Sequence, residues 1–367
     1  MAQAVEGLLG SRISDGWINI QDGAACRLKR IRLHESGHPV PDERGEAGAR
    51  KILEIAQQSG ERDLLICLIS GGASALMPLP AGAGTLAQKK EMTRALLACG
   101  ATIHEINTVR KHISGIKGGQ LASAAFPATV LALILSDVVG DDLSVIGSGP
   151  LTPDQTTCAD TKRILEKYGI ACPPLYETPK PGDKAFRKVS NILVGSNAAS
   201  IEAAARKAKE LGYQPLILST FVEGETREIA RMHAAIAKEI AAHGRPARPP
   251  VCVLSGGETT VTIRGKGLGG RNLEFVLACA IALEGVEGVT VFSGGTDGRD
   301  GPTDAAGAVA DSATLDRARK MGMEPQAYLN DNNSYTFFER AGGLIKTGPT
   351  GTNVMDIRVL LVLPRAR

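Results

Sequence analysis

Three apolar runs of strand length in this chain end in Ser-Gly-Gly. Leu64–Ile69 runs into Ser70-Gly71-Gly72, Val251–Leu254 into Ser255-Gly256-Gly257, and Val289–Phe292 into Ser293-Gly294-Gly295. A short unbroken apolar run bounded by glycine is the pattern of a strand buried on both faces, as in a parallel sheet. The glycines are expected to expose backbone N–H groups at the C-terminal strand ends, where open α/β sheets bind ligands. The serine hydroxyl adds one more hydrogen-bonding group. Three such loops point to a ligand with several negative charges, phosphate first.

The chain has 367 residues, enough for about two domains. Its 43% hydrophobic residues suffice for sizeable cores, and a net charge of +3 is too small to argue for nucleic acid or a membrane surface. Aromatic residues at 4% also disfavour base-stacking platforms. The seven cysteines are odd in number and show no C-x-x-C pair, so buried reduced thiols in a cytoplasmic protein are expected. No apolar run reaches the length of a membrane helix, and the N-terminus lacks the features of a signal peptide.

Strands are expected at Gly16–Ile20, Lys29–Leu33, Leu64–Ile69, Thr129–Leu135, Ile192–Val194 and Pro215–Ser219, and a compact glycine-rich segment ends in Asp356–Val362. Helices are expected at Glu43–Gln58, Leu86–Cys99 (with Thr85 as N-cap), Asp160–Tyr168, the alanine-rich stretch ending at Leu211, and Gly224–Ala242. Alternating strands and helices indicate α/β layers. The proline-rich stretch Gly244–Pro250 reads as a linker or an ordinary surface loop. A domain boundary there separates residues 1–245 from 246–367.

Four constellations could carry chemistry. Ser255–Glu274 joins a glycine loop and Glu258 to a second glycine loop holding Lys266 and Arg271. Glycines around a cation let backbone and side chain approach one anion together, although a glycine-rich hairpin with solvated charges has the same spacing. Ser293–Gly307 places Asp297, Asp300 and Asp304 within one loop. Carboxylates of this kind suit Mg²⁺, and at least one of them is expected to be a turn residue. Ser136–Asp142 carries Asp137 at a strand end, with Asp141-Asp142 reading as a capping pair. Asn107–Gly119 carries Arg110, Lys111 and Lys117, which could hold a carboxylate or form a solvated basic helix face. There is no Walker loop, no dinucleotide fingerprint and no zinc-type histidine spacing.

Several long segments resemble one family. LISGGASALMPLP, INTVRKHISGIKGGQLA, LSDVVGDDLSVIGSGP, ETPKPGD, LVGSN, LSGGETTVTIRGKGLGGRNLEF, GGTDGRDGPTDAAGA and TGPTGTNVMD together resemble the class II glycerate kinases, or glycerate 2-kinases. The last three look like that family's C-terminal MOFRL domain. The resemblance implies a Rossmann-like parallel-sheet N-terminal domain plus a smaller α/β C-terminal domain, with the active site in the cleft between them. It implies transfer of phosphate from ATP to D-glycerate, giving 2-phosphoglycerate, with Mg²⁺ or another divalent cation. Members often carry the label hydroxypyruvate reductase, so NAD(P)H-dependent reduction stands as an alternative. The resemblance implies a family that begins with a helix and then a strand leading to a Gly-Lys-Ala loop with a functional lysine, and the helix after that loop would contain Met1–Leu9. The chain is therefore expected to lack that lysine, through a late start or a true truncation, which leaves ligand binding without turnover as a third reading and makes poor solubility an expectation.

The resemblance and the residues together give expected roles. Arg271 is the cation on the transferring phosphoryl group, with Lys266 nearby, and Asp137 is the third catalytic candidate. Ser70, Gly71, Gly72, Ser74, Ser255, Gly256, Gly257 and Gly295 are expected to contact the nucleotide. Arg110 and Lys117 are expected to hold the glycerate carboxylate, and Glu258 and Asp297 the metal. The partners expected are ATP and glycerate, with no nucleic acid and no membrane, and a homodimer is left open.

Overall fold

A computed structural model describes residues 1–24 and 26–364. The chain divides into two compact units, one of Met1–Ser136 with Asp141–Val194, the other of Asp137–Gly140 with Gly195–Arg367. This division lies at 194/195, whereas the boundary read from the prolines, 245/246, falls inside the second unit. Pairing explains the difference, because the strand before the proline-rich stretch is hydrogen-bonded to the strand after it.

Among the described residues, the first unit holds five strands. β1 (Trp17–Gln21) and β2 (Arg32–Ser36) form a parallel pair, the second lying a few residues beyond the expected Lys29–Leu33. β3 (Leu64–Ile69), β4 (Thr129–Leu135) and β5 (Val189–Gly195) form a second sheet in that order, with β3 and β4 parallel. Local chemistry sets the helix starts. Asp42 accepts a bond from Gly45 N–H and opens Glu43–Gln58. Thr85, Thr102 and Thr157 form capping boxes that open Leu86–Ala98, Ile103–His112 and Cys158–Lys167. Asn19 bridges β1 to the carbonyls of Gly45 and Leu76, at 3.1 and 2.6 Å. Gly48 makes this possible, since a Cβ there would stand 1.9 Å from the Asn19 side chain.

In the second unit, β6 (Gln214–Val222), β7 (Val251–Gly257), β8 (Val289–Gly295), β9 (Gly307–Ala310), β10 (Leu344–Ile345) and β11 (Asp356–Val362) make one sheet, ordered β10-β9-β8-β11-β7-β6. Only β6 and β7 are parallel; β11 runs antiparallel between β7 and β8. The parallel setting expected of all three Ser-Gly-Gly strands therefore holds for β3 and one side of β7, and fails for β8. Burial on both faces is complete only in β7. The reason is β11, a C-terminal strand that inserts between two strands earlier in the chain. The helix Arg271–Ala282 is buried from Asn272 to Ala280, and the helix Thr226–His243 packs Ala230, Ala234, Ala237 and Ile240 into the same core.

Candidate active site

Several of the residues expected to carry chemistry in the second unit meet around Arg271. Arg271 opens its helix and is held from two sides. Its Nε and Nη2 donate to Asp356 at 2.7 and 3.0 Å, a bidentate pairing, while Nη1 donates to Glu258 at 2.6 Å. Asp356 is fully buried at the start of β11. It also accepts from Asn272 Nδ2 at 3.0 Å and from Arg358 Nη2 at 3.3 Å. Burial works against the charge of Arg271, but Asp356 and Glu258 outweigh it and raise its pKa above the ordinary value. The guanidinium is thus fixed in direction and always charged, and its remaining N–H groups are available to a ligand.

Glu258 is half-buried, and burial pushes its carboxyl upward. Arg271 opposes that shift, while Asp356, Asp137 and Asp297 add to it. The structure therefore brings four of the singled-out residues within electrostatic reach: Arg271, Glu258, Asp297 and Asp137. Carboxylates that repel one another at a partly open site suit a hard divalent cation, which takes one or two carboxylates plus waters and phosphate oxygens. Asp297 Oδ1 also accepts from Arg299 N–H at 3.0 Å, an Asx turn that holds the side chain.

Asp300, from the same loop, does something else. It accepts from the backbone N–H groups of Asn272 (3.0 Å) and Leu273 (2.8 Å), capping the helix that begins with Arg271. Burial raises its carboxyl to about 6. Gly270 is required here, because a Cβ would lie 2.4 Å from the Asp300 carboxylate. Asp304 is a surface residue paired with Lys346 and Tyr335.

Other expected residues take different places. Lys266 is exposed and, among the described residues, its side chain makes no bond; its backbone N–H donates to Asp331 at 3.0 Å. The segment around it is no hairpin. It lies along residues 331–335, where Asn332 accepts from the N–H groups of Arg264 and Gly265, and Asn333 from that of Leu268. A Cβ on Gly265 or Gly267 would meet that partner segment at 2.4 or 2.3 Å, so these glycines serve chain-to-chain contact. Ser255 is buried and bonded to His233 Nε2 at 2.8 Å. Ser255, Gly256 and Gly257 lie within β7, in register with Arg358, Ile357 and Asp356, rather than in a loop beyond it. A Cβ on Gly256 would overlap Asn197, which donates to the carbonyls of Val354 and Asp356 at 2.9 Å each. Gly295 N–H donates to Ala306 O at 2.8 Å. The expectation of free N–H groups at these strand tips is corrected for Gly295, because the strand continues through it.

In the first unit, the loop after β3 does turn into a short helix, Ala73–Leu76, with Gly72 at φ +80°. Ser70 is exposed, Gly71, Gly72 and Ser74 are half-buried, and Ser74 Oγ lies 2.9 Å from Ser148 Oγ. Asn107–Gly119 is not a solvated basic face: Lys111 and Lys117 are buried and Arg110 is half-buried. A further cluster places ligand-type atoms of His112, Cys158 and Glu177 within 4.8 Å of one another. There, Glu177 already accepts from Lys180 and from Cys158 N–H.

Asp356, Asn272 and Arg358 were not singled out by the sequence reading. Asp356 closes the TGPTGTNVMD motif, and Asn272 follows Arg271 directly; Arg358 had no signal beyond being a cation in an apolar strand. It is 1% exposed, with Phe275 stacked at 5.4 Å and Nε and Nη1 without partners.

This is an α/β protein of two sequence families. Residues 1–177 match the family described as "Domain of unknown function (DUF4147)", and residues 251–356 match the MOFRL family. The chain is 44% identical to a protein of Thermotoga maritima named D-glycerate 2-kinase, over 99% of this chain and 88% of the relative. It is 45% identical to an Agrobacterium vitis protein with a provisional hydroxypyruvate reductase name, over 99% of this chain and 84% of the relative. The crystal structure of glycerate kinase from Thermotoga maritima superposes with a TM-score of 0.95 at 44% identity, covering 99% of this chain and 88% of that one. The chain belongs to the class II glycerate kinase family, with its MOFRL domain at the C-terminal end. Among the described residues, no helix is long and apolar enough to cross a membrane.

Proposed function

We propose that the protein transfers the γ-phosphoryl group of ATP to the 2-hydroxyl of D-glycerate, giving 2-phosphoglycerate and ADP. The observation that carries this reading is Arg271, clamped by Asp356 and Glu258 beside further carboxylates at one end of the second unit's sheet. Phosphoryl transfer asks a protein chiefly for positioning and charge neutralisation. Arg271 supplies a fixed, permanently charged fork for the equatorial oxygens of the moving group. Asp137 accepts the hydroxyl proton as the new oxygen–phosphorus bond forms and the bond to the β-phosphate's bridging oxygen breaks. Glu258 and Asp297 are the residues that would hold a divalent cation, which when bound neutralises nucleotide phosphate charge. Arg110 and Lys117 hold the acceptor's carboxylate, while Ser70, Gly71, Gly72, Ser74 and Gly257 border phosphate or acceptor. Lys266, exposed and unbonded, is free to swing onto a bound nucleotide; Ser255, Gly256 and Gly295 shape the floor beneath Arg271. The names of the relatives, mostly glycerate kinases, favour this reading over reduction of hydroxypyruvate.

The test measures ADP release and phosphorus NMR of the product with ATP and D-glycerate, beside NADH oxidation with hydroxypyruvate. Formation of 2-phosphoglycerate is the expected result. NADH oxidation without ADP release would replace the proposal with the reductase reading, and binding of ATP or glycerate without either turnover would leave only a ligand-binding protein.

A further inference from the structure

The first unit contains buried cations that the proposed function uses only in part. Lys89 sits on the helix Leu86–Ala98, Arg110 on the helix Ile103–His112, and Lys117 in the turn that follows. Lys89 is 9% exposed and Lys117 1%, with Arg110 half-buried. Their neighbour Lys111 has a carboxylate partner, Asp154, at 3.3 Å. Among the described residues, none of the other three forms an ion pair.

The bonds they do make tie them into one arrangement. Lys89 Nζ donates to Leu79 O at 3.0 Å. The same carbonyl accepts from Ser114 Oγ at 3.1 Å, and Ser114 Oγ accepts from Lys117 N–H at 3.4 Å. Lys117 Nζ donates to Ser74 O at 3.1 Å and to Gly147 O at 3.3 Å. Ser74 Oγ meets Ser148 Oγ, which donates to Asn107 Oδ1 at 3.2 Å. Arg110 lies three residues after Asn107, on the same helical face. An ammonium has three donors, so Lys117 keeps one in reserve and Lys89 two, and no side-chain bond engages the Arg110 guanidinium.

The electrostatics agree. Burial lowers Lys89 to about 7; Arg110 lowers it further and Glu46 opposes. Lys117 is held well below the ordinary lysine value by burial, then by Lys89 and Arg110. Burial also lowers Arg110. Like charges gathered out of water without a counter-charge are unfavourable by themselves. An incoming anion removes that penalty.

We infer that Lys89, Arg110 and Lys117 form a single anion pocket in the first unit, with Lys89 a further binding residue for the carboxylate of the acceptor. This deepens the proposed function and rests on it for the identity of the anion. Arg110, the most open of the three, meets the carboxylate first, and Lys89 becomes protonated as the anion arrives.

Proton uptake is the readout that a purely structural lysine would not move. Calorimetry of D-glycerate binding in buffers of different ionisation enthalpy is expected to show more proton uptake per ligand at pH 8 than at pH 6, because Lys89 is already protonated at the lower pH. Lys89→Arg is expected to keep the affinity and to abolish the difference in uptake between pH 8 and pH 6, leaving only the share of Lys117. Lys89→Met is expected to bind about tenfold or more weakly at pH 6, where the lost charge counts fully. A pH 8-to-pH 6 difference in uptake that persists in Lys89→Arg, or no such difference in the parent protein, overturns the inference and leaves the kinase reading intact. If D-glycerate does not bind, the acceptor assignment falls, and inorganic phosphate becomes the probe. Lys89-dependent uptake with phosphate upholds the pocket; its absence overturns it.

Discussion

In the second unit, Arg271 meets Asp356 through two nitrogens and Glu258 through a third, and the buried Arg358 lies against the same Asp356. In the first unit, the ammonium groups of Lys89 and Lys117 donate to backbone carbonyls, and among the described residues neither they nor Arg110 form an ion pair. One cluster is neutralised by its own fold and the other is not. Internal pairing fixes direction, which a transition state needs, since its charge must be met without reorganisation. An unneutralised cluster instead gains from whatever anion fills it, which suits ground-state capture of a substrate.

The largest effect expected from breaking this contrast is at Arg271. Arg271→Ala is expected to lower kcat by about 10³-fold or more, by analogy with other arginines that act on a transferring phosphoryl group. Near-parental turnover would remove Arg271 from the mechanism. Next comes a pair of lysine substitutions read by urea unfolding. Lys111→Met leaves the Asp154 carboxylate, which is 1% exposed and still accepts from Thr156 and Thr178, without its lysine, and is expected to cost about 3–5 kcal/mol. Lys89→Met strands no charge and is expected to cost far less, or to stabilise. Equal losses would mean that the two lysines do not differ as described.

A smaller effect is expected in the sheet beneath Arg271. Gly256→Ala puts a methyl group 1.7 Å from the Asn197 side-chain oxygen. Displacing Asn197 is expected to cost about 1–3 kcal/mol, with loss of activity through Asp356. The smallest is a pH effect. Burial, chiefly, lowers His233 to about 4 from an ordinary 6.5, with Arg358 adding to it and a bond to Ile229 O opposing. The unfolded chain binds this proton at higher pH than the folded one does. Stability of the second unit is therefore expected to fall as pH drops from 6.5 to 4. His233→Gln should flatten that part of the thermal unfolding profile, and an unchanged slope would assign the loss to other groups.

Much of this was legible in advance. Glu43–Gln58, Leu64–Ile69 and Thr129–Leu135 stand as read, because caps and apolar runs are local signals. The sheet order of the second unit was not legible, since nothing local says that β11 inserts between β7 and β8. The same insertion explains why Asp356 was overlooked: its partner Arg271 is 85 residues away in sequence. The glycines of residues 265–270 read as phosphate loops because spacing does not distinguish a backbone that approaches a ligand from one that approaches another backbone. The basic run at residues 107–119 read as solvated because burial of an unpaired lysine has no signature in composition.

Asp137–Gly140 belongs to the second unit although the residues on both sides of it belong to the first. Anyone dissecting the molecule at 194/195 would thus leave behind a four-residue loan. The liberated C-terminal half would keep Arg271 and Asp356 yet lose Asp137, and with it the acid proposed above to receive the hydroxyl proton.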